Sequence, residues 1–258
     1  MRTLVTLGIS AFLALGSATA GADEADAKRL LKAMSDYMAA QNAFSFNYDS
    51  MLDVVTTEGQ VIGLASSGTL TFNRPDKLKS SRSGGFVDVE SFFDGKTLTL
   101  LGINKNVYMQ VEIPGTVDNL IDELKDTYNR PLPAADLLLS NSYDVLMKDV
   151  VEVRDLGSGV IGGVECDSLA FRTEEVDWQI WIAHGDRPYP CRYVITSKQQ
   201  TRAPQYSVQL SNWKSGDEVA ASDFGFKNTT GAEQVDLEQL KGMGDLPEIF
   251  VIEEGESE

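Results

Sequence analysis

The stretch Phe44-Ser45-Phe46-Asn47-Tyr48-Asp49-Ser50-Met51-Leu52-Asp53-Val54 alternates strictly. Phe44, Phe46, Tyr48, Ser50, Leu52 and Val54 share one face, the period-two mark of a half-buried strand. The segments after it continue in the same manner. Val61–Phe72 reads as a second strand, ended by Asn73-Arg74-Pro75-Asp76, where the proline forbids ladder bonding and favours a turn. Lys77–Ser83, Phe86–Phe93 and Thr97–Leu101 follow, the last two joined by Asp94-Gly95, a hairpin signal because glycine takes positive φ cheaply. Asn106–Ile113 adds one more strand.

On the N-terminal side the period changes. Leu30, Leu31, Met34, Tyr37 and Met38 recur at three and four residues and predict a helix over 23–41, with Asp23 as its N-cap. On the C-terminal side Val117–Tyr128 is again helical in period, Pro131-Leu132-Pro133 breaks it, and 134–139 and 142–147 read as two short helices. Strand patterns resume at 150–155, 164–171, 176–183, 192–197, 206–213 and 224–226. The reading is mainly β (α+β): a curved antiparallel sheet forming an incomplete barrel. Its apolar face needs a cover, and the N-terminal helix and a helical insertion at about 114–148 supply it. With no internal repeat and no low-complexity linker, 21–258 is expected to be a single domain ending in an acidic tail at 253–258.

Residues 1–20 read as a cleavable signal peptide. Arg2 is followed by the apolar run Leu4–Leu15 and by Ala18-Thr19-Ala20, the small-x-small pattern read by signal peptidase. The run is shorter than the roughly 20 residues a bilayer requires. The expected location is the periplasm. Removal of 20 of the 258 residues leaves 238, and because Arg2 is the only charge removed, the net charge of −17 becomes −18. So acidic a chain repels phosphate backbones, so nucleic acid is not an expected partner.

The motifs of common chemistry are missing. There is one histidine, His184, in a loop-like His184-Gly185-Asp186-Arg187-Pro188, and there is no C-x-x-C, H-E-x-x-H, Walker loop or calcium-loop pattern. No metal, no cofactor and no catalytic residue is expected, and the chain is read as a non-enzyme. A hydrolase built on paired carboxylates stays open, since their separation is set by the fold and not by spacing. Two cysteines in an exported chain favour a Cys166–Cys191 disulfide. In a simple meander, however, strand 176–183 lies between them and puts their Cα atoms about 9–10 Å apart, beyond the roughly 7 Å a bridge tolerates. A bend at Pro188-Tyr189-Pro190 would close that gap, and the bridge is the expectation.

What the strands do carry is apolar surface at alternating positions: Phe44 and Phe46, Leu70 and Phe72, Trp178 and Ile180, Tyr193, Tyr206. Such a face is either core beneath the helices or the lining of an apolar pocket for a ligand.

The order of helix, Phe44-x-Phe46, Gly68-x-Leu70-x-Phe72-x-Arg74-Pro75-Asp76-Lys77, Phe93-Asp94-Gly95-Lys96-Thr97-Leu98 and Phe224-x-Phe226 resembles the periplasmic lipoprotein carriers of the LolA and LolB type. The whole of 23–240 is still more similar to a family of predicted periplasmic proteins grouped with them (domain-of-unknown-function family 2092). The residues that carry this are Cys166-Asp167-x-Leu169-x-Phe171-Arg172, Asp177-Trp178-Gln179-Ile180-Trp181-Ile182 and Pro190-x-Arg192. The resemblance implies a half-barrel with an apolar concave face lined by Phe44, Phe46, Leu70, Phe72, Trp178, Ile180, Tyr193 and Tyr206. It implies a hydrophobic small molecule, lipid or lipoprotein acyl chain as ligand, and a monomer with an envelope protein as a further partner. In the carriers the arginine of the Arg-Pro motif takes part in opening and closing the cavity, and Arg74 holds that position at the rim. The alternative is a sensor or protein-interaction module on the same fold, without lipid. The chain departs from the carriers in Leu78-Lys79-Ser80 after the motif, in the longer insertion and in the Cys and Trp signatures.

Overall fold

The computed structural model describes residues 20–85, 88–128, 132, 134–220 and 222–236. The expected signal segment, apart from Ala20, and the acidic tail lie outside these residues. The alternation at 44–54 becomes β1 (Ala43–Val55), followed by β2 (Val61–Asn73), β3 (Lys77–Gly84), β4 (Val89–Phe93), β5 (Thr97–Gly102) and β6 (Val107–Glu112). After the insertion come β7 (Glu152–Ile161), β8 (Val164–Arg172), β9 (Val176–Ala183), β10 (Pro190–Ser197), β11 (Gln205–Ser215) and a two-residue β12 (Glu233–Gln234). All belong to one sheet in the order β12-β6-β5-β4-β3-β2-β1-β11-β10-β9-β8-β7. Neighbours are antiparallel except β12, which runs parallel to β6. Because β7 and β12 are separate edges, the sheet is open, an incomplete barrel.

Helix α1 (Ala20–Ala40) starts before the expected N-cap, so Asp23 lies in its first turn instead, and it buries Ala27, Leu31, Met34 and Met38, a stripe at four- and three-residue steps. Helix α2 (Val117–Asp126) begins with a capping box: Asn119 N donates to Thr116 Oγ1 (3.2 Å) and Thr116 N donates to Asn119 Oδ1 (3.1 Å). A 3₁₀ turn (Ala135–Leu138) and α3 (Ser142–Leu146) complete the insertion. These pieces pack on the concave face and form one core with the strands. Phe44, Phe72, Phe93, Leu169 and Ile180 meet Leu31, Met34, Leu120, Leu137 and Leu146 there.

Three expectations are corrected. The 224–226 strand does not form. Phe224 is buried, and the Phe226 ring lies 4.9 Å from Tyr108 and 5.6 Å from Phe92. The Phe226 ring covers the outer face as a side chain, and β12 supplies the final ladder. Strand β7 extends to Ile161, well past 155, because a bulge between Asp155 and Ser158 absorbs Gly157 at φ 81°. Third, Cys166 and Cys191 are free thiols. They flank β9, Cys166 opposite Ala183 and Cys191 in the bulge between Pro190 and Arg192. The bulge turns Cys191 to the face that Cys166 occupies, so both thiols are buried in one small cluster with Ala183, Cys166 Sγ donating to Val164 O (3.4 Å) and Cys191 Sγ to Tyr189 O (4.0 Å), while the intervening strand keeps the backbones apart.

Candidate functional site on the concave face

Register brings the expected lining residues into one surface. Phe44 faces Phe72 and Phe46 faces Leu70 across β1–β2. Trp178 lies opposite Ile195, Ile180 opposite Tyr193, and Tyr206 opposite Ile195. Phe44, Phe46, Phe72, Trp178, Ile180 and Tyr193 are buried, whereas Leu70 and Tyr206 are half-buried at the margin of the same core. Stacking orders the surface: Phe44 on Phe72 at 4.9 Å and Trp178 on Phe171 at 3.9 Å between ring centroids. Burial pushes the Tyr193 hydroxyl far up and Tyr206 up to about 12, with Tyr48 adding to the latter. The face is thus apolar in electrostatic terms as well as in composition, and in this structure the cover fills it.

Trp213 belongs to this surface although alternation assigns it to the other side. A register shift near Phe46, with Asn212 at φ 54°, turns its indole inward. It stacks on Tyr189 (5.0 Å), Phe44 (5.1 Å) and Phe46 (6.0 Å). The cue in the sequence is Asn212, a residue type that tolerates the left-handed region.

Arg74 lies where the cover meets the sheet. Its Nη2 donates to Leu138 O (3.0 Å) in the 3₁₀ turn and to Met38 O (3.5 Å) in α1, and its guanidinium lies 4.8 Å over the Phe72 ring. The next residue adds a third tie, since Val117 N at the start of α2 donates to Pro75 O (2.9 Å). The Arg74–Pro75 bond is cis. One turn therefore fastens α1, α2 and the 3₁₀ turn. Burial lowers the Arg74 pKa, partly offset by Asp118. Asp118 in turn accepts from the Ser140 backbone N (3.2 Å) and hydroxyl. Deeper in, Ser35 of α1 and Ser142 of α3 share a buried hydrogen bond of 2.7 Å. Asp136, on the 3₁₀ turn, has its pKa raised by burial, with Lys125 partly offsetting it, and its charge bears on Tyr193.

His184, the single histidine, is exposed and sits 3.3 Å from both carboxylate oxygens of Asp167, away from this face. Among the described residues no group of three or more His, Cys, Asp or Glu could hold a metal ion. No helix among them is long and apolar enough to cross a membrane.

An open antiparallel sheet whose apolar concave face is closed by latched helices defines a covered half-barrel. The chain belongs to the family of predicted periplasmic proteins (DUF2092), whose model matches residues 27–238, and the periplasm is its compartment. No curated protein matches it. Among solved structures it is similar to the lipoprotein LppX of Mycobacterium tuberculosis, with 12% identity and a TM-score of 0.47 over 76% of this chain and 99% of that one. It is similar to LprF of Mycobacterium bovis, with 13% identity and a TM-score of 0.47 over 79% and 98%. A LolA superfamily protein of Nitrosomonas europaea gives 10% identity and a TM-score of 0.33 over 74% and 94%.

Proposed function

We propose that the protein is a periplasmic binding or carrier protein for a hydrophobic ligand, a lipid or the acyl part of a lipoprotein. The concave face of the sheet is the site, and α1, α2 and the 135–146 segment are a cover that moves to admit the ligand. The working unit is residues 21–258 after loss of the signal, acting as a monomer that exchanges its cargo with an envelope protein. The observation that carries this reading is the polar latch on an otherwise apolar closure. Arg74 holds the cover through two carbonyls, and Ser35–Ser142 adds one buried hydroxyl pair. The polar share of the closure is a few hydrogen bonds, each with a net worth of about 1 kcal/mol or somewhat more with a charged donor, and its larger apolar share is contact that an acyl chain replaces in kind. An acyl chain burying about ten methylenes gains roughly 8 kcal/mol. Association costs and displacement of the cover take several kcal/mol back, so the affinity is micromolar at best.

The test is titration of the purified mature protein with a fluorescent fatty acid. Saturable binding is expected, weakened by Phe46→Ala or Trp178→Ala and unchanged by Glu58→Gln at an exposed position. Circular dichroism reports whether the core variants fold. If they do not, Leu70→Ala and Tyr206→Ala, at the half-buried margin, serve instead. Absence of saturable binding, or equal binding by all variants, removes the carrier reading and leaves a closed-core interaction module.

A further inference from the structure

The outer face of the sheet holds a cavity that the concave-face reading does not use. It measures about 340 Å³ and is walled by alternate residues of β9 and β10 and by the start of β11. Asp177, Gln179 and Trp181 point outward because Trp178, Ile180 and Ile182 point into the core. Arg192 and Thr196 do the same opposite Tyr193, and Gln205 completes the wall. An outer face is ordinarily open to water, but here the β7–β8 hairpin bends back over it. Ile161 lines the cavity, a Cβ on Gly162 would lie 3.7 Å from Gln209 Nε2 of β11, and one on Gly159 would lie 3.4 Å from Trp181 Nε1. The overhang converts a sheet surface into a recess of the size that accepts small ligands, about 300–1,000 Å³.

The chemistry of the recess is specific. Arg192 stands 5.8 Å over the Trp181 ring, and its Nε is enclosed without a hydrogen-bond partner. Among the described residues no carboxylate pairs with it. The one acid in the wall, Asp177, is already taken by Arg172, whose Nε and Nη2 donate to its two oxygens at 2.7 and 2.9 Å. In a chain of net charge −17, a half-buried guanidinium left without a carboxylate is an anion receptor. Around it stand neutral polar groups. Gln205 Nε2 donates to Thr196 Oγ1 (3.0 Å), which fixes both side chains, while the Gln179 side chain makes no hydrogen bond among the described residues. Trp181 supplies a flat apolar surface of the kind on which the C–H face of a sugar ring packs.

We propose that this recess binds a small acidic sugar, a carboxylate- or phosphate-bearing monosaccharide unit, with its anion on Arg192, its ring on Trp181 and its hydroxyls on Gln179, Gln205 and Thr196. The unit is either free or the end of an envelope glycan. Calorimetric titration with glucuronate, glucose 6-phosphate, glucose and a tetragalacturonate tests it. The two acidic monosaccharides are expected to bind, and glucose to bind at least about tenfold more weakly. Tighter binding of the tetrasaccharide assigns the site to a glycan end, and equal binding to the free sugar. Arg192→Gln is expected to reduce acidic-sugar affinity about tenfold or more, roughly the loss of one charged hydrogen-bonding contact. Arg192→Lys should retain part of it, having the charge without the fork. Gln179→Ala provides a second reading should Arg192→Gln misfold, with an expected loss of about threefold or more. Equal affinity for glucose and glucuronate, no response to either variant, or no binding of any acidic sugar at about ten millimolar overturns the proposal. Arg192→Gln leaves fatty-acid titration untouched, so failure here is separable from failure on the concave face.

Discussion

Arg74 concentrates the closure in one side chain. Replacing it by leucine keeps contact with Phe72 but removes the donors to Leu138 O and Met38 O. Two half-buried carbonyls left without that partner put the cost at about 2 kcal/mol. Denaturant unfolding measures it, and a loss under about 0.5 kcal/mol would show that the latch holds nothing. Asp136 offers a pH-dependent counterpart. Its folded pKa is raised by burial, so the folded state binds the proton more tightly than the unfolded chain does. Stability from this group is therefore greatest below its unfolded value near 4 and declines as pH rises through the folded value. Asp136→Asn should raise the melting temperature at pH 7 and bring little at pH 4; equal gains at both would contradict the assignment. Burial also raises both thiol pKa values. Cys166 and Cys191 should react slowly in the native protein, yet count as two free thiols in denaturant without reductant. A count of zero would restore the bridge. The shared facing of the aromatics was legible because alternation is a local pattern, whereas Arg74 was singled out by the resemblance of its Arg-Pro motif to the carriers. Trp213 was not legible, because it depends on a one-residue bulge that inverts the strand's facing and leaves only an asparagine in the sequence. The bend before Cys191 was legible from its prolines, but not that the thiols stay unbonded.

At the scale of elements, α1 and the insertion behave as amphipathic pieces whose stability comes from packing rather than propensity. Leu31 is fully enclosed, so Leu31→Ala is expected to cost about 3 kcal/mol, the transfer of a buried side chain plus the cavity left behind. Thr116→Ala, which removes the capping box of α2, should cost about 1 kcal/mol. A larger loss for Thr116 than for Leu31 in the same unfolding experiment would reverse the view that packing dominates the cover. Strands β1 to β6 and β8 to β11 were legible to within a few residues, since each alternates and is bounded by turn residues. The 224–226 segment misled because Phe-Gly-Phe has strand period yet packs the Phe226 ring on Tyr108 and Phe92 instead of joining the ladder. The parallel β12 was invisible, because two exposed polar residues carry no period.

For the whole molecule, the twelve strands among the described residues form one open sheet whose concave face is closed by helices and a 3₁₀ turn. The central claim is that this closure is reversible, that it opens by parting α1 from α3, and that a ligand takes the helices' place. Ser35 and Ser142, joined by a buried hydrogen bond of 2.7 Å, mark where α1 and α3 can be stapled. In a Cys166→Ser, Cys191→Ser background, Ser35→Cys with Ser142→Cys places two thiols at that contact. The decisive measurement is fluorescent fatty-acid titration of this variant with the staple oxidised and then reduced. Saturable binding should vanish when the staple is closed and return on reduction with dithiothreitol. Binding of equal strength in both forms would contradict a site beneath a moving cover.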